Sequence, residues 1–108
     1  MDLIVVGFSY KTSPIQFLET VSFLPENLST AYGRLLALEG IREAAILSTC
    51  NRSEIYAVVS DLHTGIQTLR KFYLDYFALS LSETISRQLY RFSNDRMVAH
   101  LFSTISGL

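Results

Sequence analysis

The stretch from Ala45 to Ser60, AILSTCNRSEIYAVVS, holds two alternating runs joined by a polar turn, and its reading decides the fold. Ala45, Leu47 and Thr49 take one face while Ala44, Ile46 and Ser48 take the other. After the turn, Ile55, Ala57 and Val59 alternate with Tyr56, Val58 and Ser60. A period of two marks strands. Between them Cys-Asn-Arg-Ser supplies turn formers at Asn51 and Ser53, so Cys50, the chain's single cysteine, falls at a strand end open to a substrate. The attacking species in thiol chemistry is the thiolate, and Arg52 together with the free N–H groups of a turn can stabilise that anion. A lone cysteine also fits a core as a small apolar filler. A filler belongs at an apolar strand position, whereas Cys50 lies between Thr49 and Asn51 beside a cation. Arg52 has its own plain reading as a solvated turn arginine.

On the N-terminal side, Leu3 to Tyr10 is a β-branched and aromatic run, a first strand with two apolar faces and therefore central. Gly7 within it implies close backbone approach. Lys11 to Pro14 ends that strand and starts a helix reaching about Phe23, capped by Thr12 or Ser13 with Pro14 in its first position. Ile15, Phe17, Leu18 and Val21 form its apolar stripe. Ser9, Lys11 and Thr12 are possible ligand contacts, or plain strand-end polar residues. Pro25 opens a second helix, Glu26 to Glu39, with Gly40 as its stop.

Beyond the hairpin, Thr64 to Leu79 repeats Ile66, Leu69, Phe72, Tyr73, Tyr76 and Phe77 at helical spacing, which marks core aromatics rather than a base-stacking platform. His63 reads as a loop residue before this helix. Arg87 to Phe92 alternates as a short edge strand with arginine outward. Ser93 or Asn94 caps a last helix from Asp95 with Met97, Val98, Leu101, Phe102, Ile105 and Leu108 as its stripe. His100 sits on the flank of that stripe, either solvated or, as the histidine placed on a regular element, a general base. The order strand, helix, helix, strand, strand, helix, strand, helix is that of a ferredoxin-like split β-α-β sandwich, an α+β fold. It implies a four-stranded antiparallel sheet with helices mainly on one face.

Length and composition fit one globular domain: 108 residues, 49% hydrophobic and 18% charged. A net charge of −1 with scattered cations gives no electrostatic field for nucleic acid. One cysteine forms no internal disulfide, and no zinc-ligand spacing, signal peptide or membrane-spanning run occurs, so a cytoplasmic location and no membrane partner are expected.

Ser48-Thr49-Cys50-Asn51-Arg52-Ser53-Glu54-Ile55-Tyr56 resembles the S-T-C-N-R-[ST]-E-[IVL]-Y signature of the glutamyl-tRNA reductases, which commit five-carbon precursors to tetrapyrrole (porphyrin) synthesis. Gly7 to Pro14 resembles the family's G-x-x-H-K-T-A-P entry, and His100-Leu101-Phe102 through Ser106-Gly107-Leu108 its H-L-F-x-x-x-x-G-L helix. Tyr10 stands where the family commonly has histidine, and Leu18 where it commonly has arginine. The resemblance implies an N-terminal catalytic domain, residues 1–108, whose NADPH-binding and dimerisation domains lie elsewhere in a longer protein. No G-x-G-x-x-G occurs in these residues.

The resemblance further implies that Cys50 attacks the ester of glutamyl-tRNA and holds glutamate as a thioester, which NADPH reduces to glutamate-1-semialdehyde in the full-length enzyme. Arg52 is then the clamp for the substrate carboxylate, Thr49 and Asn51 line the pocket, and His100 assists proton transfer. Implied partners are glutamyl-tRNA, a second subunit and glutamate-1-semialdehyde aminomutase; no cofactor is expected on these residues. Two other classes stand beside this one: a non-catalytic ligand-binding or interaction module, and a generic thiol hydrolase using Cys50 and His100.

Overall fold

A computed structural model describes residues 1–106. The chain runs β1 (Asp2–Ser9), α1 (Ile15–Thr20), a 3₁₀ turn (Pro25–Asn27), α2 (Leu28–Leu36), β2 (Ile41–Ser48) and β3 (Arg52–Val59). It continues through α3 (Leu62–Tyr76), α4 (Glu83–Gln88), β4 (Tyr90–Ser93) and α5 (Asn94–Ile105). The strands form one sheet in the order β2-β3-β1-β4 with every pair antiparallel. β1 is central, as its two apolar faces require.

Strand alternation divides the sheet into two unlike faces. Ile4, Val6 and Phe8 of β1 and Ile55, Ala57 and Val59 of β3 point to one side, where they bury against Leu18 and Val21, Ala31 and Leu35 of α2, and Leu69, Phe72 and Tyr73 of α3. Each buried valine, leucine or isoleucine among them contributes about 1.5–3 kcal/mol on leaving water. Phe8 meets Phe17 edge-on at 5.0 Å and Tyr73 at 5.4 Å between ring centroids. The aromatics of α3 are thus core. Leu18, at the position where arginine was the expected family residue, is 2% exposed in this cluster. Edge strand β2 is tied in by polar contacts: Tyr32 Oη accepts from Ile46 N at 2.7 Å and Ser48 Oγ from Phe23 N at 2.9 Å.

The opposite face carries Leu3, Val5, Gly7 and Ser9 of β1 and Arg52, Glu54, Tyr56 and Val58 of β3. α5 crosses it, packing on β4 and β1. The helix layer is therefore not confined to one side: α1, α2 and α3 lie on one face and α5 on the other.

Several sequence expectations are corrected. Pro14 is the N-cap of α1, not its first residue, and neither Thr12 nor Ser13 caps it; they belong to the turn leaving β1. The second helix is shorter and opens with the 3₁₀ turn. His63 lies in the first turn of α3, because Asp61 accepts from Thr64 N at 2.9 Å and starts the helix before it. Of the strand expected over Arg87–Phe92, Arg87 and Gln88 instead end a helix over residues 83–88, begun where Ser82 Oγ accepts from Ile85 N; only Tyr90–Ser93 pairs with β1. In α5, Met97 is buried, but Phe102 and Ile105 are 65% and 71% exposed. A helix that rests on a sheet already lined by polar side chains buries only part of its apolar stripe. Leu108, counted in that stripe, and the Gly107-Leu108 pair of the family resemblance lie outside the described residues.

Candidate active site

Ser48 pairs with Ser53, and Thr49 N donates to the Arg52 carbonyl at 2.8 Å, which leaves Cys50 and Asn51 as a two-residue loop at the hairpin tip. Thr49 Oγ1 accepts from Asn51 N at 3.1 Å, a side-chain brace of the kind threonine makes in turns. The Asn51 carbonyl accepts from Tyr10 N at 2.8 Å and ties the loop to the end of β1. There Ser9 organises the next turn: its carbonyl accepts from Thr12 N and Ser13 N, both at 2.9 Å, and its Oγ from Lys11 N at 3.2 Å. Cys50 is exposed at this joint.

Behind the tip lies a buried charge. Tyr90, Gly7, Glu54 and Leu47 form one cross-strand row over β4, β1, β3 and β2. Gly7 is required in it. A Cβ there would collide with the Ser53 carbonyl and stand 2.9 Å from both Cα and Cγ of Glu54. In the space left, Glu54, 0% exposed, collects three donors and the ring of His100. Tyr56 Oη donates to its Oε1 at 2.9 Å. Its Oε2 accepts from Tyr90 Oη and from Arg52 Nη1 at 3.4 Å, and lies 2.5 Å from His100 Nε2. Arg52 Nη1 also donates to Thr104 Oγ1 of α5 at 3.3 Å.

Burial, followed by the neighbouring Glu54, pushes the phenols of Tyr90 and Tyr56 well above the usual tyrosine range. Both remain donors at any physiological pH. Tyr73, on the core face, is raised by burial as well, although its hydrogen bond with Ser53 at 3.0 Å opposes the shift. A cleft of about 200 Å³ opens beside the cluster, lined by Ser9, Lys11, Thr12, Arg52, Tyr90 and His100 among others. A larger groove of about 490 Å³, between α5 and the β2–β3 half of the sheet, is walled by Ala45, Leu47, Val58, Met97 and Leu101 and shares only Tyr56 with the Glu54 cluster. Arg52, Tyr90 and His100 all line the smaller cleft.

A family model described as the N-terminal domain of glutamyl-tRNAGlu reductase matches residues 6–108. The chain belongs to this family. It is 46% identical over all 108 residues to glutamyl-tRNA reductase of Bacillus subtilis and 44% to that of Bacillus pumilus, spanning 24% of each. Identity to the enzyme of the same name from Geotalea uraniireducens is 40%, over 25% of its length. The chain thus spans about a quarter of the curated relatives it matches. In structure it is similar to glutamyl-tRNA reductase from Methanopyrus kandleri, with a TM-score of 0.72 at 24% identity, covering 98% of this chain and 22% of that one. That likeness shows the shared fold.

Within this family domain, Arg52 and His100 meet on one carboxylate although 48 positions separate them, and both line the cleft. Arg52 is not a solvated turn residue: its side chain is 12% exposed. Thr49, Cys50 and Asn51 occupy the adjoining tip rather than the cleft wall. Glu54, Tyr90, Tyr56 and Gly7 were not singled out as a unit by the sequence. The available signal was an acidic residue in the middle of a strand, which only the register against Gly7 turns into a buried site.

The described residues do not fit a nicotinamide dinucleotide. Their sheet is wholly antiparallel, and Gly7, Gly33, Gly40 and Gly65 lie in a strand, a helix, the turn before β2 and a helix, not in a phosphate loop between a strand and a helix.

Proposed function

We propose that residues 1–108 are the substrate-acylating domain of a glutamyl-tRNA reductase in tetrapyrrole synthesis, with Cys50 as nucleophile. The observation that carries this reading is an exposed cysteine at a braced hairpin tip, two residues from an arginine held beside a histidine, in a chain of this family. The Cys50 thiolate forms a bond to the carbonyl carbon of the glutamyl ester. The carbon–oxygen bond to the tRNA 3′ end breaks, and its oxygen leaves with a proton, for which His100 is the proposed donor. Arg52 receives the glutamate side-chain carboxylate, for which a planar guanidinium is suited. Thr49 and Asn51 hold the tip in shape.

The architecture is read in the same way as a ferredoxin-like split β-α-β sandwich. Support comes from the order β2-β3-β1-β4, in which β1 and β2 run parallel on either side of β3. Reduction with NADPH, homodimerisation and delivery of product to an aminomutase belong to the remainder of a protein of the relatives' length.

The test is mass spectrometry of the chain after incubation with glutamyl-tRNA and an acid quench. A glutamyl adduct on the Cys50 peptide, absent in Cys50→Ser, is expected. An unmodified thiol in a full-length relative under the same conditions would return the domain to the class of binding modules; cleavage of simple esters without glutamyl preference would make it a general thiol hydrolase.

A further inference from the structure

The acylation step proposed above assigns Glu54 no part, yet it is the point on which the cleft residues converge. A carboxylate with no exposure is costly unless every oxygen is satisfied. Here Tyr56, Tyr90 and Arg52 all donate to it, and its Oε2 lies 2.5 Å from His100 Nε2. An ionised carboxylate only accepts hydrogen bonds. With Glu54 ionised against Arg52, an unprotonated Nε2 would aim its lone pair at that oxygen, so the short approach calls for the proton on Nε2. The ring has little freedom to turn away: Phe92 lies 4.9 Å and Tyr90 5.5 Å from it between centroids, with Arg52 of β3, Thr104 of α5 and Lys11 of the turn after β1 on the surrounding cleft wall.

We infer that Glu54 is a positioning residue that fixes the proton of His100 on Nε2, leaving Nδ1 as the nitrogen that exchanges protons with the reacting groups. A carboxylate behind a histidine sets tautomer and orientation in the same way at metal and hydrolase sites. The same carboxylate holds Arg52 beside His100, so one buried charge aligns both the substrate clamp and the proton carrier. This role in catalysis rests on the acylation reading, whereas the tautomer is a property of the folded chain alone.

The experiment is proton–nitrogen NMR of the uniformly ¹⁵N-labelled chain, with His63→Gln used to assign the two histidines. A downfield, exchange-protected proton on Nε2 of His100 is expected in wild type and in Tyr90→Phe, which keeps Glu54 and removes one competing donor. In Glu54→Gln this signal is expected to disappear into solvent exchange, and Cys50 acylation by glutamyl-tRNA to fall roughly 10–100-fold. A proton found on Nδ1 in wild type overturns the inference, a result that does not depend on how the variant folds. An unchanged signal in folded Glu54→Gln overturns it too. Acylation absent from wild type, with the protected Nε2 proton present, removes the proposed function and leaves the positioning role. Normal acylation with the proton on Nδ1 does the reverse.

Discussion

Gly7 and Glu54 are cross-strand partners, and the missing Cβ of the first makes the space that the side chain of the second fills. Gly7→Ala should therefore overpack the row between β1 and β3. Overpacking a dense interior costs about 1–3 kcal/mol, or a melting temperature lower by roughly 5–15 °C for a domain of this size. A thermal melt within a degree of wild type would show that the row has slack.

Arg52 separates stability from substrate choice. Arg52→Lys keeps a cation beside Glu54 but loses the planar fork, so acylation by glutamate should drop at least tenfold while the melting temperature stays within a few degrees. Arg52→Ala removes the one cationic donor among Tyr56, Tyr90 and Arg52 to a buried carboxylate and should cost about 1–3 kcal/mol. Equal acylation by wild type and the lysine variant would remove the clamp role.

Cys50 is exposed on a two-residue loop, outside the hydrophobic core. A thiol reagent should titrate one group in the native chain without denaturant. Cys50→Ser should change stability by less than about 0.5 kcal/mol, as surface substitutions do, and abolish the glutamyl adduct. Protection of the thiol until unfolding would contradict the exposed tip.

Alkali should unfold the domain through its buried phenols. Tyr56, Tyr73 and Tyr90 are all held protonated by burial, with folded values raised above the unfolded value of 10.0. Their contribution is fully present below pH 10, and stability declines as pH rises above it, because the unfolded chain then binds fewer protons. Tyrosinate absorbance from Tyr73, isolated as the difference from Tyr73→Phe, should develop together with loss of the far-ultraviolet dichroism. Its appearance in chains that retain native dichroism would show the phenol to be accessible.

How much of this was legible in the chain follows from the range of each interaction. The alternation of Ile55, Ala57 and Val59 against Tyr56 and Val58, the apolar run from Ile4 to Phe8 and the aromatic spacing of α3 are local patterns, and they settled β1, the hairpin and the core face. Local chemistry also put Cys50 in a polar turn, and the closeness of Gly7 to another backbone was implied by a glycine in a central strand. Where several local readings compete, capping decided: Ser82 turned residues 83–88 into a helix, and Asp61 drew His63 into α3.

Only the tertiary structure decided that Glu54 is a buried centre and that His100 and Arg52 share it. An acidic residue in a strand reads as solvent-facing until the partner strands supply a glycine on one side and a tyrosine on the next, and until α5 crosses that face with His100 inward. These contacts join residues 7, 54, 90 and 100, and hydrogen bonds of about 3 Å at such separations depend on strand register and helix placement, to which a period of two or of 3.6 residues is blind.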